Sequence, residues 1–153
     1  MMLTKSQITR NWLPRYTCMP LDEFGEYILV TNFVDYVRRF AQKFDRNIYG
    51  EDRAMQASTN ADGLTIINYG IGSSNAATIM DLLTAVSPKG DLYLGKCGGL
   101  KKSTELGHFN LPIAAIRGEG TSEDYFTPEL TALQSFKIHK FDSDKIMEHG
   151  VNN

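Results

Sequence analysis

The chain is poor in cysteine and tryptophan, and it has no marked excess of either charge. Cys18 and Cys97 are its two thiols, and neither sits in a CxxC or Cys/His metal spacing. That excludes a disulfide framework and a zinc finger, and makes the cytoplasm the expected compartment. His108, His139 and His149 form no HxH or HExxH pattern, so no metal or other cofactor is expected. Sixteen Lys and Arg against 18 Asp and Glu leave a net charge of -2, which gives no electrostatic grip on nucleic acid or anionic lipid. No run of about 18 apolar residues exists to cross a membrane. The opening segment MMLTKSQITRNWLPRY has no apolar signal core, so export is not expected. Internal repeats and low-complexity tracts are missing as well. What remains is 153 residues, 42% hydrophobic and 22% charged, enough for one globular domain with a proper core.

Periodicity gives the architecture. Pro14, Pro20 and Gly25 punctuate residues 1–25, read as an N-terminal arm or short helix plus loop ahead of a domain over 26–153. Tyr27 to Thr31 is a short apolar run, expected as a fully buried strand. Asn32 is a candidate cap for the next segment, where Phe33, Val37, Phe40, Ala41 and Phe44 recur at helical spacing. Leu64 to Tyr69 reads as a second strand, Gly70-Ile71-Gly72 as a turn, and Ser74 or Asn75 as the cap of a helix ended by Ser87-Pro88. Leu92 to Leu94 and Leu111 to Ile116 are the third and fourth strands. Strands alternating with helices predict an α/β fold on a largely parallel sheet. Ligands of such sheets sit beyond the carboxyl ends of the strands. Four segments leave those ends: Thr31-Asn32, Gly70 to Asn75, Gly95 to Gly99 and Arg117 to Ser122.

Individual motifs are weaker. Gly70-Ile71-Gly72-Ser73-Ser74-Asn75 approaches GxGxxG, but Asn75 replaces the third glycine, and Asp91 precedes the third strand where an acid should end it. A nicotinamide site is therefore not expected. The segment from Gly95 to Lys102 sets three lysines beside a glycine turn without forming GxxxxGK[ST]. It suits a phosphate or a sugar edge, and equally a solvated loop. Cys97, flanked by glycines with no histidine nearby in sequence, reads as a buried structural thiol.

The segments TNFVDYVRRFAQKF, RAMQASTNADGLTIINYGIGSSNAATIMDLL, LGKCGGLKKSTELGHF and LPIAAIRGEGTSEDYF closely resemble the bacterial AMP nucleosidases. Those enzymes are members of the purine and uridine phosphorylase superfamily. The resemblance runs from about Trp12 to about Ile146. It implies a three-layer αβα phosphorylase-like fold with a largely parallel mixed sheet, usually a homo-hexamer. The implied reaction is hydrolysis of AMP to adenine and ribose 5-phosphate, with a place in purine salvage. Carried over by position, Thr31 and Asn32 occupy the phosphate loop after the first strand, and Arg53 reaches into a neighbouring subunit's phosphate site. Gly70, Gly72 and Ser73 form the turn beneath the sugar. Gly95, Lys96, Cys97 and Gly98 take the place of a Gly-Ser-Cys-Gly stretch that contacts phosphate and base. Lys96 stands for its serine, and Tyr93 for a phosphate-binding arginine. Both departures suit water over free phosphate as acceptor. Arg117, Glu119, Gly120, Thr121 and Ser122 would meet the nucleotide from the next loop, and Arg15 and Tyr16 would reach the 5′-phosphate from the arm.

One departure is large. The resemblance implies a Met-Glu segment whose glutamate holds the ribose hydroxyls, and a Ser-Asp segment whose aspartate protonates N7 of the purine. Neither is found, and Met147-Glu148 falls far too early to be the former. A general acid contributes about 10²- to 10⁴-fold. The expectation is therefore a family-like fold incomplete at its C-terminus: the N-terminal half of an AMP nucleosidase, weak or inactive alone, with exposed apolar surface and an unpaired sheet edge. Glu119 and Asp124 are the local acids that would have to act in place of the missing aspartate. A non-catalytic nucleotide-binding or assembly module, and a nucleoside phosphorylase, are the alternatives.

Overall fold

The structure, a computed structural model, describes residues 2–112, 120, 121 and 125. It divides into two compact units, Met1–Cys97 and Gly98–Asn153.

The first unit begins with a helix. Thr4 accepts a hydrogen bond from the Gln7 N–H, and the Gln7 side chain accepts one from the Thr4 N–H. This reciprocal capping box starts α1 (Lys5–Thr17), which carries Pro14 and ends in a left-handed Cys18. The helix is anchored by Leu13, which is fully buried. β1 (Tyr27–Thr31) follows, then α2 (Val34–Phe44), β2 (Gln56–Thr59), β3 (Leu64–Asn68), α3 (Ser73–Leu83) and β4 (Gly90–Leu94).

The four strands form one sheet in the order β2-β3-β1-β4. β1 runs parallel to β3 and to β4, while β2 is antiparallel to β3. Side chains alternate across the sheet. Ile28, Val30, Ala57, Ile67 and Tyr69 join Leu13 of α1 and Ile79, Leu82 and Leu83 of α3 in the larger core. On the opposite face Ile66, with Leu29 and Leu64 beside it, packs on Val37 and Phe40 of α2. The described residues are thus helices on both sides of a mostly parallel sheet, the α/β arrangement expected.

Several details differ from the expectation. β1 is not buried throughout, because Tyr27 points out at the start of the strand and is half exposed. β2 has no apolar run to betray it: its sequence, Gln-Ala-Ser-Thr, is buried by its neighbours and not by its composition. Neither predicted cap forms. The residue before α2 is Phe33, with no side-chain cap, because the Asn32 side chain is engaged by Tyr93. α3 opens after Gly72, and Asn75 donates back to the Ile71 carbonyl over 3.0 Å. That helix ends at Leu83, before Ser87-Pro88, and Asp91 lies inside β4.

β4 is an edge among the described residues, paired with β1 alone, and its Leu92 and Tyr93 are about half exposed. The second unit shows no α-helix or strand among its described residues; the turns Lys101–Thr104 and Glu105–His108 close by backbone hydrogen bonds of 3.0 and 3.3 Å. Of the expected fourth strand, Leu111 and Pro112 carry no regular structure, and 113–116 lie outside the described residues.

Candidate functional site

Parallel pairing brings the carboxyl ends of three strands to one edge. Thr31 is in register with Asn68 on one side and with Leu94 on the other. Gln56, the first residue of β2, pairs with Asn68 and extends the row. The segments after Thr31, Asn68 and Leu94 therefore leave the sheet side by side. Thr31, Asn32, Gly70, Gly72, Ser73, Gly95, Lys96 and Cys97 belong to this edge. α3 also starts here, so the positive end of its dipole faces the same side, an arrangement favourable to an anion.

A buried amide pair fixes the left part of the row. Asn68 Nδ2 donates to Gln56 Oε1 over 2.5 Å, and the Gln56 amide donates to the Arg53 carbonyl. Asn68 Oδ1 in turn accepts the Gly70 N–H over 3.2 Å. Gly70 has φ +82°, a left-handed turn that glycine adopts without strain. The pair thus ties the backbone of the Arg53 loop to the glycine turn. The Arg53 side chain is exposed, and its backbone N–H closes a turn onto Gly50. Gly50 lies against the Thr17 carbonyl, where a Cβ would stand 2.7 Å away. The C-terminal end of α1, with exposed Arg15 and half-buried Tyr16, is therefore beside the Arg53 loop.

The right part of the row is aromatic. Thr31 is buried, and its hydroxyl accepts the Phe33 N–H over 3.2 Å. The Tyr93 hydroxyl donates to Asn32 Oδ1 over 3.1 Å, joining β4 to the loop after β1. Tyr69 lies 6.3 Å from Tyr93, centroid to centroid. Its hydroxyl is pushed up to about 12, by burial first and then by the adjacent Tyr93 hydroxyl, so it is a neutral group at physiological pH. The Lys96 ammonium sits 4.3 Å over the Phe33 ring and 5.3 Å from that of Tyr36. Tyr69 and Tyr93 also line a largely apolar cavity of about 270 Å³ with Val30, Ala76, Ile79, Met80 and Asp91.

Cys97 is exposed, which corrects its reading as a buried structural thiol: it follows β4 into open loop and has no core to enter. Gly98, Gly120 and Thr121 belong to the second unit, where Gly98 and Gly120 are exposed. Arg117, Glu119, Ser122 and Asp124 lie outside the described residues. No group of three or more His, Cys, Asp or Glu is placed to hold a metal ion among the described residues. Gln56, Asn68, Phe33, Tyr36 and Tyr69 escaped the sequence reading as site residues. Asn68 alone left a signal, as a polar residue ending an apolar strand run just before a glycine turn.

Residues 26–146 match the sequence pattern of the phosphorylase superfamily. The chain belongs to that superfamily. It is similar to the AMP nucleosidase of Escherichia coli (strain K12), 25% identical over 173 residues, covering 88% of this chain and 36% of that protein. It is similar to the guanosine phosphorylase of Halorubrum lacusprofundi, 33% identical over 86 residues, covering 56% of this chain and 36% of that protein. Among solved structures, the crystal structure of AMP nucleosidase from Bacteroides thetaiotaomicron VPI-5482 matches with a TM-score of 0.75 and 54% identity, covering 83% of this chain and 53% of that one. The chain therefore spans about a third to a half of the length of these superfamily relatives.

Proposed function

We propose that the protein acts in AMP hydrolysis as an AMP nucleosidase, with the carboxyl edge of β1, β3 and β4 as its nucleotide-binding part. The observation that carries the reading is the common register of Thr31, Asn68 and Leu94, which sets the three family-like loops side by side. The 54% identity to a solved AMP nucleosidase supports it. In the reaction, water adds to the ribose anomeric carbon as the bond to N9 of adenine breaks. The water gives up a proton, adenine takes one, and ribose 5-phosphate is released. The transition state carries positive charge on the sugar and negative charge on the departing base. Binding at this edge supplies positioning, worth most when the phosphate and the sugar are held together.

Thr31, Asn32, Gly70, Gly72, Ser73, Gly95, Lys96, Cys97 and Gly98 are the proposed contacts of phosphate, ribose and base. Arg117, Glu119, Gly120 and Thr121 are those of the following loop. Arg53 is assigned to a phosphate across a subunit boundary, in a homo-oligomer, and its exposed side chain suits that role. A cytoplasmic location and a role in purine salvage complete the reading.

The test is adenine release from AMP, followed with AMP and adenosine binding on the same sample. Adenine release independent of added phosphate supports the nucleosidase. Release that requires free phosphate would favour the nucleoside phosphorylase reading, to which the guanosine phosphorylase similarity also corresponds. AMP binding with no release would leave the non-catalytic nucleotide-binding module.

A further inference from the structure

We infer that Phe33 and Tyr36 are positioning residues for Lys96, forming an aromatic seat that holds its ammonium ready for the phosphate monoester of the nucleotide. The inference rests on the reading of this edge as a nucleotide site. Phe33 and Tyr36 stand on either side of the start of α2, with their rings packed edge to face at 5.6 Å. Both are half-buried, so the seat is held by the helix and does not depend on a ligand. Lys96 comes from the opposite side of the β1–β4 ladder, two residues past Leu94, and lays its Nζ 4.3 Å above the first ring and 5.3 Å from the second.

The contact decides where a flexible side chain goes. A lysine stem has many rotamers, and fixing it on binding costs entropy. Here the ring faces attract the cation by their quadrupole, which restricts the stem before any anion arrives. The rings accept no classical hydrogen bond in their plane, so the ammonium keeps N–H donors for phosphate oxygens. No carboxylate forms an ion pair with Lys96 among the described residues, so its positive charge is not neutralised there. An Asp or Glu partner would have competed with the phosphate; two rings do not. Next to the seat, Tyr93 fixes Asn32, so both walls of the loop after β1 are held.

The test uses the full chain grown with lysine labelled at the ε carbon, the Lys96 resonance being the one lost in Lys96→Ala. In the unsubstituted chain that resonance is expected upfield by ring current, and it should return to the ordinary lysine position in Phe33→Leu/Tyr36→Leu while Phe33→Tyr retains the shift. AMP and adenosine binding are measured on the same three proteins. The double Leu variant should weaken AMP by about tenfold with adenosine unchanged, and Phe33→Tyr should keep AMP binding. An ordinary Lys96 resonance in the unsubstituted chain overturns the seat. Equal loss for AMP and adenosine overturns the phosphate role. If the unsubstituted chain binds neither ligand, the reading of the edge as an AMP site falls. Titration with inorganic phosphate then decides the seat alone: movement of the shifted Lys96 resonance supports it, and no movement overturns it.

Discussion

Asn68 and Gln56 share a buried amide-to-amide hydrogen bond of 2.5 Å, and through it the strand before the glycine turn holds the loop that carries Arg53. Removing one partner leaves the other with unmet hydrogen-bonding groups in a buried place, which costs about 1–3 kcal/mol. Gln56→Ala and Asn68→Ala should each lower stability by that amount in urea unfolding. The double variant should lose clearly less than the sum, since both act through one bond. Simple additivity would show that the bond couples nothing.

Arg53 lends itself to a ligand test because its side chain is exposed and its backbone is held from two sides. Arg53→Ala should leave the fold intact. A charge-assisted contact to phosphate contributes about 1.5–3 kcal/mol, roughly a 10- to 150-fold loss of AMP affinity. Adenosine binding should change little. Equal loss for both ligands would remove Arg53 from the phosphate.

How far the sequence could be read depended on where burial came from. Elements that carry their own apolar pattern were legible: Tyr27 to Thr31 forms as read, the Phe33 to Phe44 stripe becomes a helix from Val34, and the run Leu64 to Tyr69 becomes a strand that ends one residue early, at Asn68. β2 was not, because Gln56, Ala57 and Ser58 are buried, and Thr59 half-buried, by β3 and α2 and not by hydrophobicity of their own. α1 was legible only in part, since Pro14 reads as a breaker although it lies inside the helix. The carboxyl-edge loops followed from the parallel fold. The groups that brace them did not, because an amide pair between residues 56 and 68 and a lysine over two rings are contacts of tertiary structure, with no local signature. Cys97 failed for the converse reason: a small thiol between glycines looks ready for burial, and only the open edge of β4 shows that it stays outside.

Leu13 gives α1 its place in the larger core, where it is fully buried beside Ile28, Ile67 and Ile79. Leu13→Ala should cost about 2–5 kcal/mol in unfolding free energy, as for other large-to-small changes at closed core sites. Ile8→Ala, on a partly exposed face of the same helix, should cost far less. Similar small effects at both positions would mean that α1 is a detachable arm.

Tyr69 gives the alkaline limit of the fold. Its folded-state value of about 12 lies above the ordinary 10.0, so folding favours the neutral hydroxyl. The stability it contributes is complete below about pH 10 and is lost as pH rises from there towards 12. Absorbance titration of the chain's seven tyrosines should show a last step near pH 12 that Tyr69→Phe removes. The same variant should unfold with less pH dependence between 10 and 12. A Tyr69 that ionises near the ordinary 10.0 would show that its hydroxyl is open to water.

A nucleotide is proposed to bind at the carboxyl edge of β1, β3 and β4. Amide chemical shifts recorded during AMP titration test it most directly. Asn32, Phe33, Gly70 to Ser73 and Gly95 to Cys97 should move together, while Ala85, just past the far end of α3, and Arg10 of α1, which donates to the Ala85 carbonyl over 3.1 Å, should stay unmoved. Saturating AMP that leaves those loops still, or that moves the Arg10 and Ala85 end instead, would contradict it.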